Sequence, residues 1–112
     1  MNLRDIIQHW SARVLADPGP AKNANAIYKL VLTGESGGTW VVRCKEPLSI
    51  SEVDGEAECT VTMDGDTFLG IIDGSVNPQS AFLMGKMAIG GNMLLALKLA
   101  ELMRHYLPSR ID

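Results

Sequence analysis

The sequence predicts an α+β fold: a mostly antiparallel sheet with one buried face, covered by helices. Three observations point there. Segments that alternate apolar and polar residues fall at 27–33, 39–45 and 57–63. Helical periodicity brackets them, at 3–16 and from 93 to about 107. The chain has 112 residues, 46% hydrophobic and 21% charged. That suits one domain over 1–112 with a core that needs neither disulfides nor metal.

In the first helix Leu3, Ile6, Ile7, Trp10 and Val14 share a face, and Asn2 is placed to cap it. Asp17-Pro18-Gly19-Pro20 stops it. The first strand turns Tyr28, Leu30 and Leu32 one way. The loop 34–38 makes a hairpin to the second strand, where Trp40, Val42 and Cys44 share a face. Residues 48–50 suggest a short extra extended piece. In 57–63, Ala57, Cys59, Val61 and Met63 point one way and Glu58, Thr60 and Thr62 the other. Asp66 is then read as the cap of a short helix carrying Phe68, Leu69, Ile71 and Ile72, which Gly74 ends. Asn77-Pro78 opens another, with Ala81, Phe82 and Leu83, closed by Gly85. A strand at 86–89 and a turn at Gly90-Gly91-Asn92 lead into the last helix.

That helix is apolar nearly all round. Its polar stripe is only Lys98, Glu101, Arg104 and His105. A helix of this kind asks for apolar partners on more than one side. A sheet supplies one; a bound lipid, another chain or a membrane would supply the rest.

Ten basic and thirteen acidic residues give a formal charge of -3. That excludes nucleic acid as an expected partner, because phosphate neutralisation needs a basic surface. No secretory leader and no run long enough to span a bilayer is visible, so a cytoplasmic location is expected.

No catalytic constellation survives inspection. Gly34-Glu35-Ser36-Gly37-Gly38 has the letters of a hydrolase nucleophile elbow, but a strand follows it where the elbow needs a helix. His9 belongs to the polar face of the first helix, and His105 follows Glu101 at i+4 as an exposed ion pair. Asp64 and Asp66 lack the further ligands of a calcium loop. Gly85-Lys86 lacks the rest of a phosphate-binding loop. Cys44 and Cys59 read as two buried thiols, with a cross-strand pair as the alternative. An enzyme would need a nucleophile and a base near the mouth of a binding cavity, and Ser36, Ser80, Cys44 and Cys59 are the candidates weighed there. The expectation is a binding protein, not an enzyme, with no cofactor and no metal.

One stretch carries a familiar order of features. Phe68-Leu69-Gly70-Ile71-Ile72-Asp73-Gly74 is followed by Asn77-Pro78, Ala81-Phe82, Gly85-Lys86-Met87-Ala88-Ile89 and Gly91-Asn92, then the apolar helix. Over about residues 57 to 105 this resembles the sterol carrier protein type 2 family, also called nonspecific lipid-transfer proteins. The resemblance implies a five-stranded sheet with an apolar tunnel between sheet and helices. It implies a long-chain ligand: fatty acid, acyl-CoA, phospholipid, isoprenoid or a sterol-like lipid. The implied lining is Leu30, Trp40, Val42, Phe68, Ile72, Phe82, Met87, Ile89, Leu95, Leu99, Leu102 and Met103. Met84, Met87, Met93 and Met103 fall in the same half, where adaptable packing around a variable ligand would use them. Residues 74–85, between two glycines, are the expected lid. Transient membrane contact is a further expectation. A homodimer, or service as an accessory module to a lipid-modifying enzyme, is the rival reading. The chain ends Arg110-Ile111-Asp112, without the peroxisomal tripeptide of many family members.

Overall fold

The computed structural model describes residues 3–35 and 37–106. The elements run α1 (Leu3–Ala16), α2 (Gly19–Ala24), β1 (Ile27–Thr33), β2 (Gly38–Arg43), β3 (Ser49–Ser51), β4 (Cys59–Asp64), α3 (Gly65–Asp73), α4 (Pro78–Leu83), β5 (Met87–Gly91) and α5 (Met93–Tyr106). The strands form one sheet in the order β3-β2-β1-β4-β5. It is mixed: β1 and β4 are parallel and every other neighbour pair is antiparallel.

The alternation read from the sequence decides the faces. Tyr28, Leu30 and Leu32 of β1, Trp40 and Val42 of β2, and Cys59, Val61 and Met63 of β4 are all buried on the helix-covered face. α5 lies over this face, and its Leu99, Leu102 and Met103 join Phe68, Ile71 and Ile72 of α3 and Ile6, Ile7 and Trp10 of α1 in one core. The other face carries Lys29, Val41, Thr60 and Thr62, half-buried. Residues 52–58 cross it from β3 to β4. Lys29 Nζ meets Asp54 at 2.8 Å on the way, and Glu58 Oε2 accepts from the Ile27 N–H at 2.8 Å. This crossing is what allows β4 to run parallel to β1, since parallel neighbours need a long connection.

Several local expectations change. The weakly patterned piece at 48–50 is β3, paired with β2 through Val42 and Ile50. The Pro-Gly-Pro stretch that stops α1 also starts α2, with proline in its first turn. The cap of α3 is Asp64, not Asp66. Asp64 is still extended, so its Oδ1 accepts from the Thr67 N–H at 2.7 Å, while Asp66 already sits in the first turn. Gly90 and Gly91 belong to β5 and not to the turn. A Cβ on Gly91, at φ 96°, would stand 2.5 Å from the Glu58 carbonyl oxygen, so the β4–β5 pairing requires glycine there. Asn92 opens α5, its Oδ1 accepting from the Leu94 N–H at 2.8 Å. The proposed cap Asn2 lies outside the described residues. So do Ser36, Leu107 and the residues after it.

Tyr106 ties the helices together. Its hydroxyl donates to the Asp17 carbonyl at 2.6 Å and accepts from the Ala21 N–H at 3.1 Å. Pro18 provides no side-chain cap for α2. One hydroxyl from α5 therefore satisfies the carbonyl that follows α1 and an N–H that starts α2.

Candidate functional site

An apolar groove opens where α4, β5 and α5 meet. Pro78, Gln79, Phe82 and Leu83 form one wall, Ile89 the floor, and Met93 and Leu97 the other wall, around a volume of about 340 Å³. Its size lies at the lower end for small-molecule pockets. Gln79 is its only polar lining residue, and no charged side chain lines it. Chemically such a groove can accept a hydrocarbon chain and has little with which to select a head group.

The local sequence explains the opening. Asn77 caps α4 through Oδ1, accepting from the Gln79 and Ser80 N–H groups at 2.9 and 3.2 Å, and Pro78 fixes the first turn. Gly85, at φ 77°, then reverses the chain, and the Lys86 N–H returns to the Ala81 carbonyl at 2.8 Å. The six-residue α4 buries only Ala81 fully. A short helix with one buried side chain is the kind of element that opens locally.

The twelve lining residues expected from the sequence divide. Phe82 and Ile89 line this groove. Leu30, Trp40, Val42, Phe68, Ile72, Met87, Leu99, Leu102 and Met103 are buried in the core, and Leu95 packs half-buried against it. Pro78, Gln79, Leu83, Met93 and Leu97 complete the groove without having been among the twelve. Met93 was visible through the methionine excess; the other four needed the tertiary arrangement.

Trp40 stands apart. β2 lies three strands from β5, so the indole is remote from the groove. It floors a separate depression of about 410 Å³ between α1 and β3, beside Ile7, Leu15 and Ile50. Arg4 lies over its ring at 5.8 Å. A two-pronged pair with Glu52, at 2.9 and 2.6 Å, and a bond to the Gly37 carbonyl at 3.2 Å hold that guanidinium.

The residues weighed for catalysis are scattered. The loop carrying the Gly-rich letters joins β1 to β2 as a hairpin, with the Gly37 N–H on the Gly34 carbonyl at 3.1 Å. His9 is exposed on α1. His105 packs edge-on against the Tyr106 ring at 5.0 Å, in place of the Glu101 ion pair expected from their spacing. Cys44 and Cys59 are free, buried thiols, and β1 runs between their strands, so the cross-strand alternative falls. Burial pushes the Cys44 thiol up to about 11 and raises that of Cys59 as well. Between them lies the buried Tyr28 hydroxyl, without a hydrogen-bond partner among the described residues and with its pKa raised by burial.

Residues 7–104 match the SCP-2 sterol transfer family. The chain belongs to that family. Among relatives, it is 41% identical over 86 residues to human sterol carrier protein 2, covering 72% of this chain and 16% of that protein. It is 38% identical over 85 residues to bovine hydroxysteroid dehydrogenase-like protein 2, covering 73% of this chain and 20% of that one. The match thus spans a fifth or less of these relatives. Among solved structures, the palmitated SCP2L2 of Aedes aegypti superposes with a TM-score of 0.73 at 30% identity, over 94% of this chain and 96% of that one. Apo sterol carrier protein 2 of Yarrowia lipolytica gives 0.73 at 24% identity, over 93% and 88%, a likeness of fold. The α+β architecture with a five-stranded sheet is that of the SCP-2 family. No helix among the described residues is long and apolar enough to cross a membrane.

Proposed function

We propose that this SCP-2 family chain is a non-catalytic carrier of a long-chain lipid, acting in the cytoplasm. The acyl chain or its equivalent lies in the α4–β5–α5 groove. One observation carries the reading: an apolar groove, with a single amide in its lining, bordered by a six-residue helix that buries one side chain. A hydrocarbon would enter by lifting α4 and extend toward the core face of Met87, Leu99 and Met103. The palmitated relative supports a fatty acid as one ligand. Because no charge lines the groove, acyl-CoA, phospholipid, isoprenoid and sterol-like lipids remain in the same class.

A second reading has its own support. The relatives are five or more times longer than the matched segment. The same groove would then hold lipid for a partner enzyme, or pack against one.

Titrating fatty acids of increasing length, against a fluorescent fatty acid as reporter, tests the carrier reading. Affinity should rise about fourfold per added methylene, as about 0.8 kcal/mol of burial per CH₂ requires, and level off once the groove is filled. Leu97→Trp, which fills the groove, should abolish uptake. A protein isolated natively that carries no lipid and ignores the reporter would refute it.

A further inference from the structure

Among the described residues the methionines divide in two. Met63, Met87 and Met103 are buried in the core. Met84 is 68% exposed and Met93 44%. Of these two, Met93 lines the α4–β5–α5 groove and Met84 lies outside its lining. The thioether of Met93 therefore meets both the solvent and any chain held in the groove.

The other oxidisable side chains are withheld from solvent. Cys44 and Cys59 are buried, and burial keeps both thiols protonated, whereas attack on a peroxide needs the thiolate. Trp10 and Trp40 are buried too. A thioether needs no deprotonation, so an oxidant reaching the folded protein finds Met84 and Met93 first. The two have different consequences. An unbranched thioether packs well against hydrocarbon, and its sulfoxide is a polar group. Gln79 is the only polar residue in the groove lining. A sulfoxide oxygen on Met93 would be solvated while the groove is open to water. An entering chain would strip that water, with one amide to replace it.

We infer that Met93 is a hydroperoxide-sensitive site whose oxidation to the sulfoxide loosens the hold of the groove on a hydrocarbon chain. The sulfur lone pair takes the terminal oxygen of R–O–OH and the O–O bond breaks. The proton of that oxygen passes to the departing RO oxygen, giving methionine sulfoxide and ROH. Sulfur is oxidised and the peroxide reduced by the same electron pair. R is hydrogen in hydrogen peroxide and the lipid itself in a fatty-acid hydroperoxide. This rests on the carrier reading and adds to it a residue that releases cargo under oxidising conditions.

The test treats native protein with hydrogen peroxide in one arm and linoleic acid hydroperoxide in the other. Peptide mass spectrometry maps the added oxygen, and a fluorescent fatty acid is titrated before and after. Hydrogen peroxide, arriving from water, should oxidise Met84 and Met93 and spare Met63, Met87 and Met103. The lipid hydroperoxide, arriving in the groove, should favour Met93 over Met84. Oxidised protein should bind the fatty acid about tenfold more weakly, and methionine sulfoxide reductases should restore the affinity. Met93→Leu, whatever its starting affinity, should keep it after peroxide, and Met84→Leu should lose affinity as the wild type does. Fatty acid present during the treatment should shield Met93 and not Met84. Equal oxidation of the two by the lipid hydroperoxide would uphold the site and leave hydrogen peroxide as its oxidant. A loss of affinity that persists in Met93→Leu, or that Met84→Leu removes, would overturn the assignment. So would sulfoxide at Met93 with affinity unchanged, or Met93 taking up oxygen no faster than Met103. Each of these leaves the carrier reading standing. Untreated protein that takes up no fatty acid would remove the carrier reading and this inference together.

Discussion

Two buried tyrosines invite the same substitution with opposite results. The Tyr106 hydroxyl holds Asp17 and Ala21, while that of Tyr28 has no partner among the described residues. In Tyr106→Phe, two hydrogen bonds vanish. The Ala21 N–H stays buried in the first turn of α2, where neither the helix nor Pro18 can take it. The lost bonds contribute about 1 kcal/mol each, and an unsatisfied buried donor costs about 1–3 kcal/mol. Allowing for overlap, the loss should be about 2–3 kcal/mol. For a chain of this size that lowers the melting temperature by about 10 °C. In Tyr28→Phe an uncompensated buried hydroxyl is removed and the ring stays. Stability should hold or rise by about 1 kcal/mol. Urea unfolding of both variants, followed by circular dichroism, reads the difference, and an unchanged slope confirms that the unfolded reference has not moved. Equal destabilisation of both would refute the reasoning, since it would give the Tyr28 hydroxyl a partner of its own.

Two further outcomes follow from other parts of the molecule. Asn77→Ala removes the cap of α4 and should cost about 1 kcal/mol. Amide exchange in 78–83 should then speed up by about fivefold while the sheet is unaffected, and uniform acceleration would contradict α4 as a locally opening element. Cys44, raised to about 11, should be almost unreactive toward a disulfide reagent at pH 8 in the native state, with about 0.1% thiolate, and react fully on unfolding. The unfolded thiol ionises near 9.0 while the folded one resists to about 11, so the unfolded state holds fewer protons between those values. Cys44 alone should account for a fall of about 2–3 kcal/mol as pH rises through that window, and Cys44→Ala should remove that share while the smaller loss from Cys59 and Tyr28 stays.

Faces were readable from the chain, neighbours less so. Alternation with period two put Leu30, Trp40, Val42, Val61 and Met63 on the buried face, and the structure agrees. Which strand lies beside which is decided by the crossing at 52–58, a polar segment with no periodicity, so the parallel β1–β4 pair and the strand between Cys44 and Cys59 left no local trace. The α3 cap differed by two residues because either aspartate suits a first turn, and only backbone conformation separates Asp64 from Asp66. α2 hid behind a breaker motif that serves equally as a starter. Tyr106 read as one more apolar residue of α5, and its hydroxyl found its partners 85 and 89 residues away. Phe82 and Ile89, expected in the lining, do border the groove, whereas Pro78 stands in the same motif-bearing stretch but reads there only as a helix starter. Leu83 and Leu97 were not legible, because a leucine beside a cavity and one inside a core carry the same signal. Trp40 faces inward as its alternation requires, but facing inward on β2 leads to Arg4 and not to the groove.

The crossing also makes a central pairing non-local. Tyr28 meets Cys59 across a separation of 31 residues, so the β1–β4 pair closes a long loop. Until then β1 offers a free edge on the side where β4 will bind. Its apolar face, with Leu30 beside Trp40, waits longer still for Leu99 and Met103 on the last helix. Such delayed, non-local closure slows folding and leaves early species prone to association. By that reasoning, a chain lacking α5 should expose the apolar face of β1 and β2 and be prone to association.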